Sequence, residues 1–398
     1  MGEVRVLYLN PFSQEISGPD ESLLTVLGEL VARGVKPQVV LPAPGPQVER
    51  YRRLGARVHF VPMSILKRRL APTELALFPA HLAASTRAIA KLARSERIDL
   101  VHTNMEVVLE GALATRLTRI PHVLHYRGNV LDRPRPVFDV LTRFWVGTSE
   151  QVFCISEGTA AIFRKRGLAA TVAVLYNAVD LGRYASAGRS ARVRRDLGAQ
   201  NGELLVGNAG RLHPRKDLET FLRAAALVAA RAGQARFVLV GGAEVAEERA
   251  YEARLRLLAR ELGIEARVAF AGARRDMPEV MASLDVLVLS SRFEGFGRVV
   301  AEGMAAAVPV VATAEGGPGE LIEHGVQGLL AAPGNDQEFA NHIERLVRDP
   351  GLRQAMGQAG RKRASLFLPS RAADTLFTSY CRLIGLDQTS PGISSGGS

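Results

Sequence analysis

Residues 204–217 read LLVGNAGRLHPRKD, and this stretch decides the fold class. A short apolar run, Leu204–Gly207, gives way to small residues and then to three cations at the start of an amphipathic stretch, Lys216–Arg231. A strand that leads through a short loop into a helix is one βα unit. Such units recur at intervals of roughly 20 to 35 residues, which predicts an α/β fold with parallel sheets.

The βα units fall into two series, so the sequence predicts two parallel-sheet domains. The predicted strands are Val4–Asn10, Gln38–Leu41, Val58–Pro62, Ile98–Thr103, His122–Arg127, Gln151–Ile155 and Thr171–Leu175 in the first series, and Leu204–Gly207, Arg236–Val240, Arg267–Phe270, Val286–Leu289, Pro309–Ala312 and Gly328–Ala331 in the second. The aperiodic segment Asp180–Glu203 is interpreted as their connection, with the boundary near residue 190. The predicted domains are therefore 1–190 and 191–371.

The end of the chain is predicted to be helical and then disordered. Helical patterns run from Asp336 to about Leu386, with Pro350 and Pro369 as breaks. The segment 388–398 is rich in Ser and Gly and is expected to be a disordered tail.

The composition is that of a folded protein with excess positive charge. Of 398 residues, 47% are apolar and 23% charged, and the formal net charge is +11. Two cysteines, Cys154 and Cys381, exclude a disulfide framework and favour a reducing compartment. Because neither a signal peptide nor an apolar run of about 18 residues is found, we expect a cytoplasmic protein. The charge leaves nucleic acid, an anionic membrane and anionic small substrates open as partners.

Cations cluster in the loop after the predicted strand Leu204–Gly207. Arg211 and Lys216 precede a predicted helix, although the helix dipole disfavours basic residues at that end. Backbone N–H groups, an Arg fork and a Lys charge together suit a diphosphate. The alternative is a pair of ordinary solvated cations. The loop is a candidate phosphate site, with Gly210 beside it.

Two carboxylates lie eight residues apart in the stretch 293–302, FEGFGRVVAE. Eight residues span a little over two helical turns, so Glu294 in the loop and Glu302 in the helix can face one cleft. Carboxylates suit vicinal sugar hydroxyls. The alternative is a solvated loop residue and a residue that complements the helix N-terminus. Farther on, Gly316 and Gly317 form either an anion-binding turn or a plain one.

These stretches resemble, in order and spacing, the family-4 retaining glycosyltransferases of the GT-B fold. The Glu-x7-Glu motif, Glu294 to Glu302, is the main feature, with the phosphate loop and Asn177–Asp180 in their expected places. The resemblance extends from Val4 to about Leu386. It implies two Rossmann-like domains that face each other across a cleft, with acceptor bound by the first and donor by the second. The helix 372–387 would cross back onto the first domain.

The resemblance also implies roles for individual residues. Arg211 and Lys216 would stabilise the donor diphosphate, Glu302 would bind the ribose and Glu294 the donor sugar, and His125 would reach the transferred sugar. The remaining donor contacts would come from Gly18, Gly210, Gly272, Arg274, Gly295, Phe296 and Gly297. His102 and Arg127 are expected at the acceptor. The predicted catalytic residues are Arg211, Lys216, Glu294 and His125.

Three positions depart from the family pattern. The first loop reads Ser17-Gly18-Pro19 where many relatives carry a Gly-Gly pair, Asp217 stands in place of a common Gly, and Gly303 in place of a common Ala. The predicted cations and carboxylates are unaffected.

The resemblance implies retention of anomeric configuration, with attack from the face that the nucleotide leaves and the diphosphate taking up the acceptor proton. Because no Asp-x-Asp spacing in a suitable loop and no histidine cluster occurs, we expect no metal and no cofactor. A UDP-sugar donor is expected from family frequency, and the acceptor is expected to be a saccharide or a lipid-linked molecule of bacterial surface polysaccharide or glycolipid synthesis. A nucleotide-sugar epimerase, a phosphorylase and a non-catalytic nucleotide-sugar-binding subunit are the alternatives.

The excess charge is concentrated in the first domain. Residues 51–200 carry 24 basic and 11 acidic side chains, whereas residues 201–398 carry 23 of each. The stretch 51–69 has no acid, and its cations are Arg52, Arg53, Arg57, Lys67, Arg68 and Arg69. It is expected to be either a solvated basic surface or a face for an anionic membrane. Nucleic acid is not expected, because aromatic residues make up 6% and form no basic-aromatic platform.

Overall fold

The computed structural model describes residues 3–14, 18–67, 71–128, 135–200 and 202–386. They form two compact units, each built on its own parallel sheet. The first unit contains the chain to Ile155, residues Thr159–Ala178 and the helix that begins at Pro369. The second contains Ser156–Gly158 and Val179–Leu368. The predicted α/β class with two parallel-sheet domains is confirmed.

The first unit has a seven-stranded sheet. Its strands are β1 (Val4–Leu9), β2 (Val35–Leu41), β3 (Arg57–Phe60), β4 (Leu100–Thr103), β5 (His122–Tyr126), β6 (Gln151–Cys154) and β7 (Val172–Val174). They pair in parallel in the order β3-β2-β1-β4-β5-β6-β7. The chain order reverses between β1 and β4, and ligands bind beyond the carboxyl ends of the strands at such a switch point.

The second unit has a six-stranded sheet with the same kind of reversal, here between β8 and β11. Its strands are β8 (Leu204–Ala209), β9 (Ala235–Val240), β10 (Val268–Phe270), β11 (Val286–Leu289), β12 (Val310–Thr313) and β13 (Gly328–Ala331). Their order is β10-β9-β8-β11-β12-β13, and each pair is parallel.

Helices cover both sheets. In chain order they are α1 (Gly18–Ala32), α2 (Gln47–Arg53), α3 (Pro72–Ser95), α4 (Glu110–Thr118), α5 (Arg135–Thr148), α6 (Glu157–Arg164), α7 (Leu181–Ala185), α8 (Ala191–Asp196), α9 (Leu218–Arg231), α10 (Ala246–Glu261), α11 (Met277–Ser283), α12 (Arg298–Ala305), α13 (Gly317–Leu321), α14 (Asp336–Arg348), α15 (Pro350–Ala364) and α16 (Pro369–Leu383). Within the described ranges, none of them is long and apolar enough to span a bilayer.

The core of the first unit has two layers, one on each face of its sheet. On one face α1 and α16 bury their apolar residues, and Tyr380 of α16 is fully buried there. On the other face α3, α4, α5 and α6 pack, with Trp145 and Phe163 at the centre. The predicted tail 388–398 lies outside the described residues.

The predicted strands are all present, and their bounds differ by a few residues. The largest difference is β2, which begins at Val35 rather than at Gln38. A proline inside a strand argues against strand structure because it lacks a backbone donor. In β2, however, β3 pairs only from Gln38 onward, so Pro37 lies where one side of the strand has no partner strand.

The chain passes from the first unit to the second after Ala178, whereas the sequence analysis placed the boundary near residue 190. The segment Asp180–Glu203 was expected to be aperiodic, but it contains α7 and α8, capped by Asp180 and Ser190. The buried carboxylate of Asp285 binds Arg189 at 2.7 Å and Arg194 at 2.8 Å. These two ion pairs fix the segment to the second unit. They could not be predicted from the local sequence, because Asp285 lies some 90 residues farther along the chain.

Candidate functional site

The predicted phosphate loop and the first predicted carboxylate meet at the carboxyl edge of the second sheet. Lys216 ends the short 3-10 turn Pro214–Lys216, and its Nζ donates to Glu294 Oε2 over 2.7 Å. The strands before them, β8 and β11, are neighbours, so residues 78 positions apart become partners. Both side chains are about three-quarters buried, at 25% and 23% exposure. The lysine charge is therefore fixed in position at the rim of the sheet.

Two serines support this pair. Ser290 Oγ donates to the carbonyl oxygen of Lys216 over 3.1 Å and accepts from Asn208 Nδ2 at 3.3 Å. Ser291 Oγ donates to Glu294 Oε2 over 3.1 Å. The sequence analysis assigned these serines no role. The available signal was a pair of small polar residues directly after a strand that is apolar throughout.

Asp217, which replaces a common glycine, has a φ of +46°. This left-handed conformation favours glycine, and Asp is one of the few other residues that adopt it readily. Asp217 Oδ2 also lies 3.4 Å from Arg292 Nε. The departure from the family pattern thus keeps the backbone path that leads into α9.

Arg211, the second predicted phosphate ligand, has a carboxylate partner different from that of Lys216. Its side chain is 73% exposed, and its Nη1 is 3.8 Å from Glu248 Oε1. The residue before it, Gly210, contacts the end of β9 so closely that a Cβ on Gly241 would lie 1.8 Å from the Gly210 carbonyl oxygen. Gly241 was missed in the sequence analysis, although a Gly-Gly pair directly after an apolar strand was a visible signal.

Glu302 belongs to a different cluster. In α12 its Oε1 lies 3.3 Å from Arg298 Nη2. The pKa of the Tyr184 hydroxyl is raised, mainly by burial and next by the nearby charge of Glu302. A hydrogen bond between Tyr184 and Glu302 adds to this effect. Tyr184 lies in α7, within the segment expected to be a plain connection. Glu294 and Glu302 were expected to face one cleft, and the structure gives them different partners.

The loop around Glu294 is supported by the turn after β12. The N–H of Gly317 donates to the Glu294 carbonyl oxygen over 2.8 Å, and a Cβ on Gly316 would lie 2.2 Å from the same oxygen. The two glycines allow one loop to approach another. The Phe296 ring is buried edge-on against Phe367 at 5.5 Å. The predicted donor contacts of this loop, at Gly295, Phe296 and Gly297, are thus left to its backbone.

The loop expected to flank the base follows β10. The carbonyl of Gly272 accepts the N–H of Gly241 over 2.9 Å. The guanidinium of Arg274 binds Asp276 in a bidentate pair, with Nε to Oδ1 at 2.8 Å and Nη2 to Oδ2 at 2.6 Å. Arg274 is therefore engaged by a neighbouring carboxylate.

In the first unit, His102 of β4 and His125 of β5 stack on each other. Their ring centroids are 5.7 Å apart at an interplanar angle of 16°. His102 Nδ1 is hydrogen-bonded to the Tyr380 hydroxyl at 2.6 Å. Burial lowers the pKa of His102 to about 3 and that of His125 well below its usual value. Both rings are neutral at neutral pH.

Arg127, predicted to contact the acceptor, is the centre of a buried polar network. Its Nε and Nη2 donate to the carbonyl and side-chain oxygens of Asn104 at 2.8 and 2.6 Å, and its Nη1 donates to Asn177 Oδ1 at 2.7 Å. Asn104 donates to Asn10, whose amide donates to Asp20 over 2.7 Å. The sequence analysis assigned no role to Asn10 and Asn104, which directly follow the strands β1 and β4.

Two further expectations concern loops and metals. Gly18 is the first residue of α1, and the residues before it, 15–17, lie outside the described chain. In the described ranges, no three His, Cys, Asp or Glu side chains converge as ligands for a metal ion.

The stretch 51–69, expected to be strongly basic, meets acids from other elements. The ion pairs are Arg57–Glu96 at 2.7 Å, Lys67–Glu74 at 2.7 Å and Arg53–Glu49 at 3.6 Å. Arg68 and Arg69 lie outside the described residues. Residues outside the stretch supply the acids that it lacks. Three of its described cations are therefore neutralised by a neighbouring carboxylate.

Two family models match most of the chain. The model "Glycosyltransferase Family 4" matches residues 16–183, and "Glycosyl transferases group 1" matches residues 190–363. The D-inositol 3-phosphate glycosyltransferase of Corynebacterium jeikeium is 30% identical over 329 residues, which are 76% of this chain and 77% of that protein. The chain belongs to glycosyltransferase family 4.

Other relatives of this glycosyltransferase differ in how much they share with it. The 2-deoxystreptamine glucosyltransferase of Streptomyces kanamyceticus is 28% identical over 392 residues, 92% of this chain and 99% of that one. EpsD of Bacillus subtilis is 34% identical over 196 residues, and the match covers 49% of this chain and half the length of that protein.

Solved structures agree on the fold of the glycosyltransferase. Anabaena HepE in complex with UDP-glucose superposes with a TM-score of 0.79 at 26% identity, covering 96% of this chain and 100% of that one. The complex of HepE with UDP and glucose gives 0.79 at 25% identity, with 95% and 99% covered. The GT-B fold implied by the resemblance is confirmed.

Proposed function

We propose that this glycosyltransferase moves a sugar from a UDP-sugar to a saccharide or lipid-linked acceptor, with retention of configuration and without a metal ion or other cofactor. The observation that supports this most directly is the Lys216–Glu294 ion pair at the carboxyl edge of the second sheet. The structural similarity to HepE, which was solved with UDP-glucose, supports the choice of donor.

Lys216 is suited to stabilise the leaving group. Its ammonium has three donors, so it can keep its bond to Glu294 and still donate to a phosphate oxygen. As the bond between the anomeric carbon and UDP breaks, negative charge grows on the diphosphate. A cation already fixed in a partly desolvated place stabilises that charge without further reorganisation. The exposed side chain of Arg211 would add a second, more mobile cation.

The acceptor oxygen would attack the anomeric carbon from the face that UDP leaves, and its proton would pass to the departing diphosphate oxygen. Glu294 would accept hydrogen bonds from donor hydroxyls, and Glu302 from the ribose. His125 is neutral, and its Nε2 has no hydrogen-bond partner among the described residues, so the ring would act through a hydrogen bond rather than a charge. The positive ends of α9 and α12 would share the phosphate charge.

The acceptor proposed from the family resemblance is a precursor of a bacterial surface polysaccharide or glycolipid, with the reaction on the cytoplasmic side.

The proposal is tested by incubating the purified full chain with UDP-, GDP- and ADP-sugars and a panel of saccharide and lipid-linked acceptors, with and without a chelator. Mass spectrometry detects the product, and NMR of the new linkage gives its anomeric configuration. We expect transfer from a UDP-sugar with retention, undiminished by the chelator. Isomerised donor, phosphate-dependent cleavage, or an inverted product would contradict the proposal.

A further inference from the structure

The first half of α3 is only thinly covered by the described residues of its own unit. From Pro72 to Ala84 no side chain is buried, and the first buried residue of the helix is Ser85. At about 1.5 Å per residue this free part is about 20 Å long. Isolated helices of this length are marginal in water, and most helical stability comes from burying one face. The segment therefore lacks the partner that such a helix needs.

The free segment carries the apolar residues for such a partner. Leu75 and Leu77 are 61% and 52% exposed. Its helical start is well defined, because Glu74 Oε2 accepts the N–H of Ala71 over 3.0 Å and Pro72 occupies the first turn. On the neighbouring α5, Val137 and Val140 are also exposed, at 45% and 65%. These leucines and valines add to the exposed apolar surface of the first unit.

The same layer of helices is positively charged. α3 packs against α4, and α4 against α5. Their exposed cations are Arg87, Lys91, Arg94, Arg116, Arg119, Arg135 and Arg143. In the part of the chain that the structure describes, none of the seven forms an ion pair with a carboxylate. The two unburied acids of these helices, Glu74 and Asp139, are already paired with Lys67 and Arg166.

Helical periodicity brings the apolar and basic residues together. Leu77 and Lys91 are 14 residues apart, about four turns, so they lie on nearly the same side of α3. Val140 and Arg143 are three residues apart on α5 and are neighbours on its surface. Apolar side chains beside unpaired cations are typical of helices that lie in the headgroup region of an anionic bilayer.

We propose that the α3–α5 face, the exposed surface of α3, α4 and α5, docks on an anionic phospholipid bilayer. Leu77, Val137 and Val140 enter the interface, and the seven cations contact lipid phosphates; Leu75 is two residues from Leu77 and points to the other side of α3. The basic stretch 51–69, which the sequence analysis left as either a solvated surface or a membrane face, has a minor part, because acids from the fold neutralise most of its described cations. This docking is independent of the proposed reaction, since it uses none of the residues assigned to donor or acceptor.

Co-sedimentation of the full chain with vesicles tests the docking. We expect binding to vesicles of equal parts phosphatidylglycerol and phosphatidylcholine, weakening as salt is added, and little binding to phosphatidylcholine alone. The double variant Leu77→Glu/Val140→Glu should lose about tenfold or more in partitioning, since two apolar groups are removed and two like charges added. Arg87→Gln/Lys91→Gln should lose about fivefold for each cation, from about 1 kcal/mol per cation near the surface.

Matched variants separate this face from general effects. Leu257→Glu changes a leucine of α10 in the second unit that is 54% exposed, and it should bind like the wild type. Arg52→Gln/Arg53→Gln tests the stretch 51–69 and should have a small effect. Unchanged binding in the Leu77→Glu/Val140→Glu variant would overturn the proposal. The proposal would also be overturned if the wild type bound no vesicles but formed a dimer in size-exclusion chromatography and this variant did not. The face would then bind a second copy of the chain.

Discussion

The ammonium of Lys216 lies 2.7 Å from a carboxylate in a place that is only a quarter exposed. We expect Lys216→Ala to lower kcat/KM by about a hundredfold or more, because a fixed donor at the developing charge is lost. Steady-state kinetics with a UDP-sugar measures this. Lys362→Ala, which changes a lysine of α15, is the matched control and should be near wild type. A Lys216→Ala enzyme with normal kinetics would remove this residue from the diphosphate site.

His102 makes the stability of the first unit depend on pH. Burial lowers its pKa to about 3, whereas an unfolded histidine titrates near 6.5. Between these values the unfolded chain takes up a proton that the folded chain does not, so stability is lost as the pH falls below about 6.5. At pH 5 the loss for this residue is about 2 kcal/mol. Urea unfolding at pH 7 and pH 5 measures it.

In His102→Gln this part of the pH dependence should disappear, and the decrease between the two pH values should be about 2 kcal/mol smaller than in the wild type. His81→Gln changes an exposed histidine of α3 and should retain the wild-type pH dependence. Equal decreases in His102→Gln and the wild type would show that His102 is protonated in the folded chain.

For single residues, the sequence predicted which side chains belong to the candidate site better than it predicted which side chains they contact. The family motif located Lys216 and Glu294 and assigned both to the ligand, but their contact with each other depends on β8 and β11 being neighbours. Arg127 was assigned to the acceptor, and its protein partners, Asn104 and Asn177, were not predicted. Which polar groups surround a buried guanidinium is decided by the fold, and short sequence stretches do not show it.

The ion pairs of Asp285 hold α8 and the segment before it to the second sheet. Asp285 is buried and accepts from Arg189, Arg194 and the N–H of Leu205. Removing one partner of a buried pair leaves an uncompensated charge, so Asp285→Ala should lower the free energy of unfolding of the second unit by about 3 kcal/mol. Asp374→Ala breaks an exposed pair with Arg33 and should cost about 1 kcal/mol or less.

Chemical denaturation of both variants measures these changes. An Asp285→Ala protein as stable as Asp374→Ala would show that the segment is held by other contacts. Burial alone would raise the pKa of Asp285, but its hydrogen bond to Arg189 and the charges of both arginines leave that pKa below its usual value. The stabilisation should therefore be present above the unfolded pKa of 3.8 and be lost as the pH falls through the lower, folded value.

Strands were easier to predict than the short helices. Strands such as β11 and β12 are buried along their whole length, so each appears as a continuous apolar or β-branched run. The helices α7 and α8 have five and six residues, too few to show a helical period. Their caps at Asp180 and Ser190 were the only local signals.

Each unit has its own core, so the whole molecule should unfold in two steps. Differential scanning calorimetry should show two transitions, and UDP should raise the temperature of the one that belongs to the second unit. At a free concentration of about 100 times its Kd, a ligand adds about 2.7 kcal/mol to the stability of the unit that binds it. The Lys216→Ala variant identifies that transition by a smaller shift. A UDP shift of the first-unit transition alone would place the nucleotide in the other unit.

Counting charged residues along the sequence located the excess of cations. It did not show how these cations are arranged on the surface. Residues 51–200 hold most of the excess cations. Counting could not show that Glu96 and Glu74 neutralise Arg57 and Lys67, or that the exposed cations of α3, α4 and α5 have no carboxylate partner among the described residues. Net charge follows from composition, whereas its arrangement on the surface depends on which helices lie side by side.

The position of α16 also determines the order in which a nascent chain can fold. Its residues Leu376, Phe377 and Tyr380 complete the core that contains β1 and β4, yet they are synthesised after the whole of the second unit. The second unit, in contrast, has all of its residues once Leu368 has left the ribosome. The unit that is translated first must therefore wait for α16, and a ribosome that stops after Leu368 releases a finished second unit joined to an open first one.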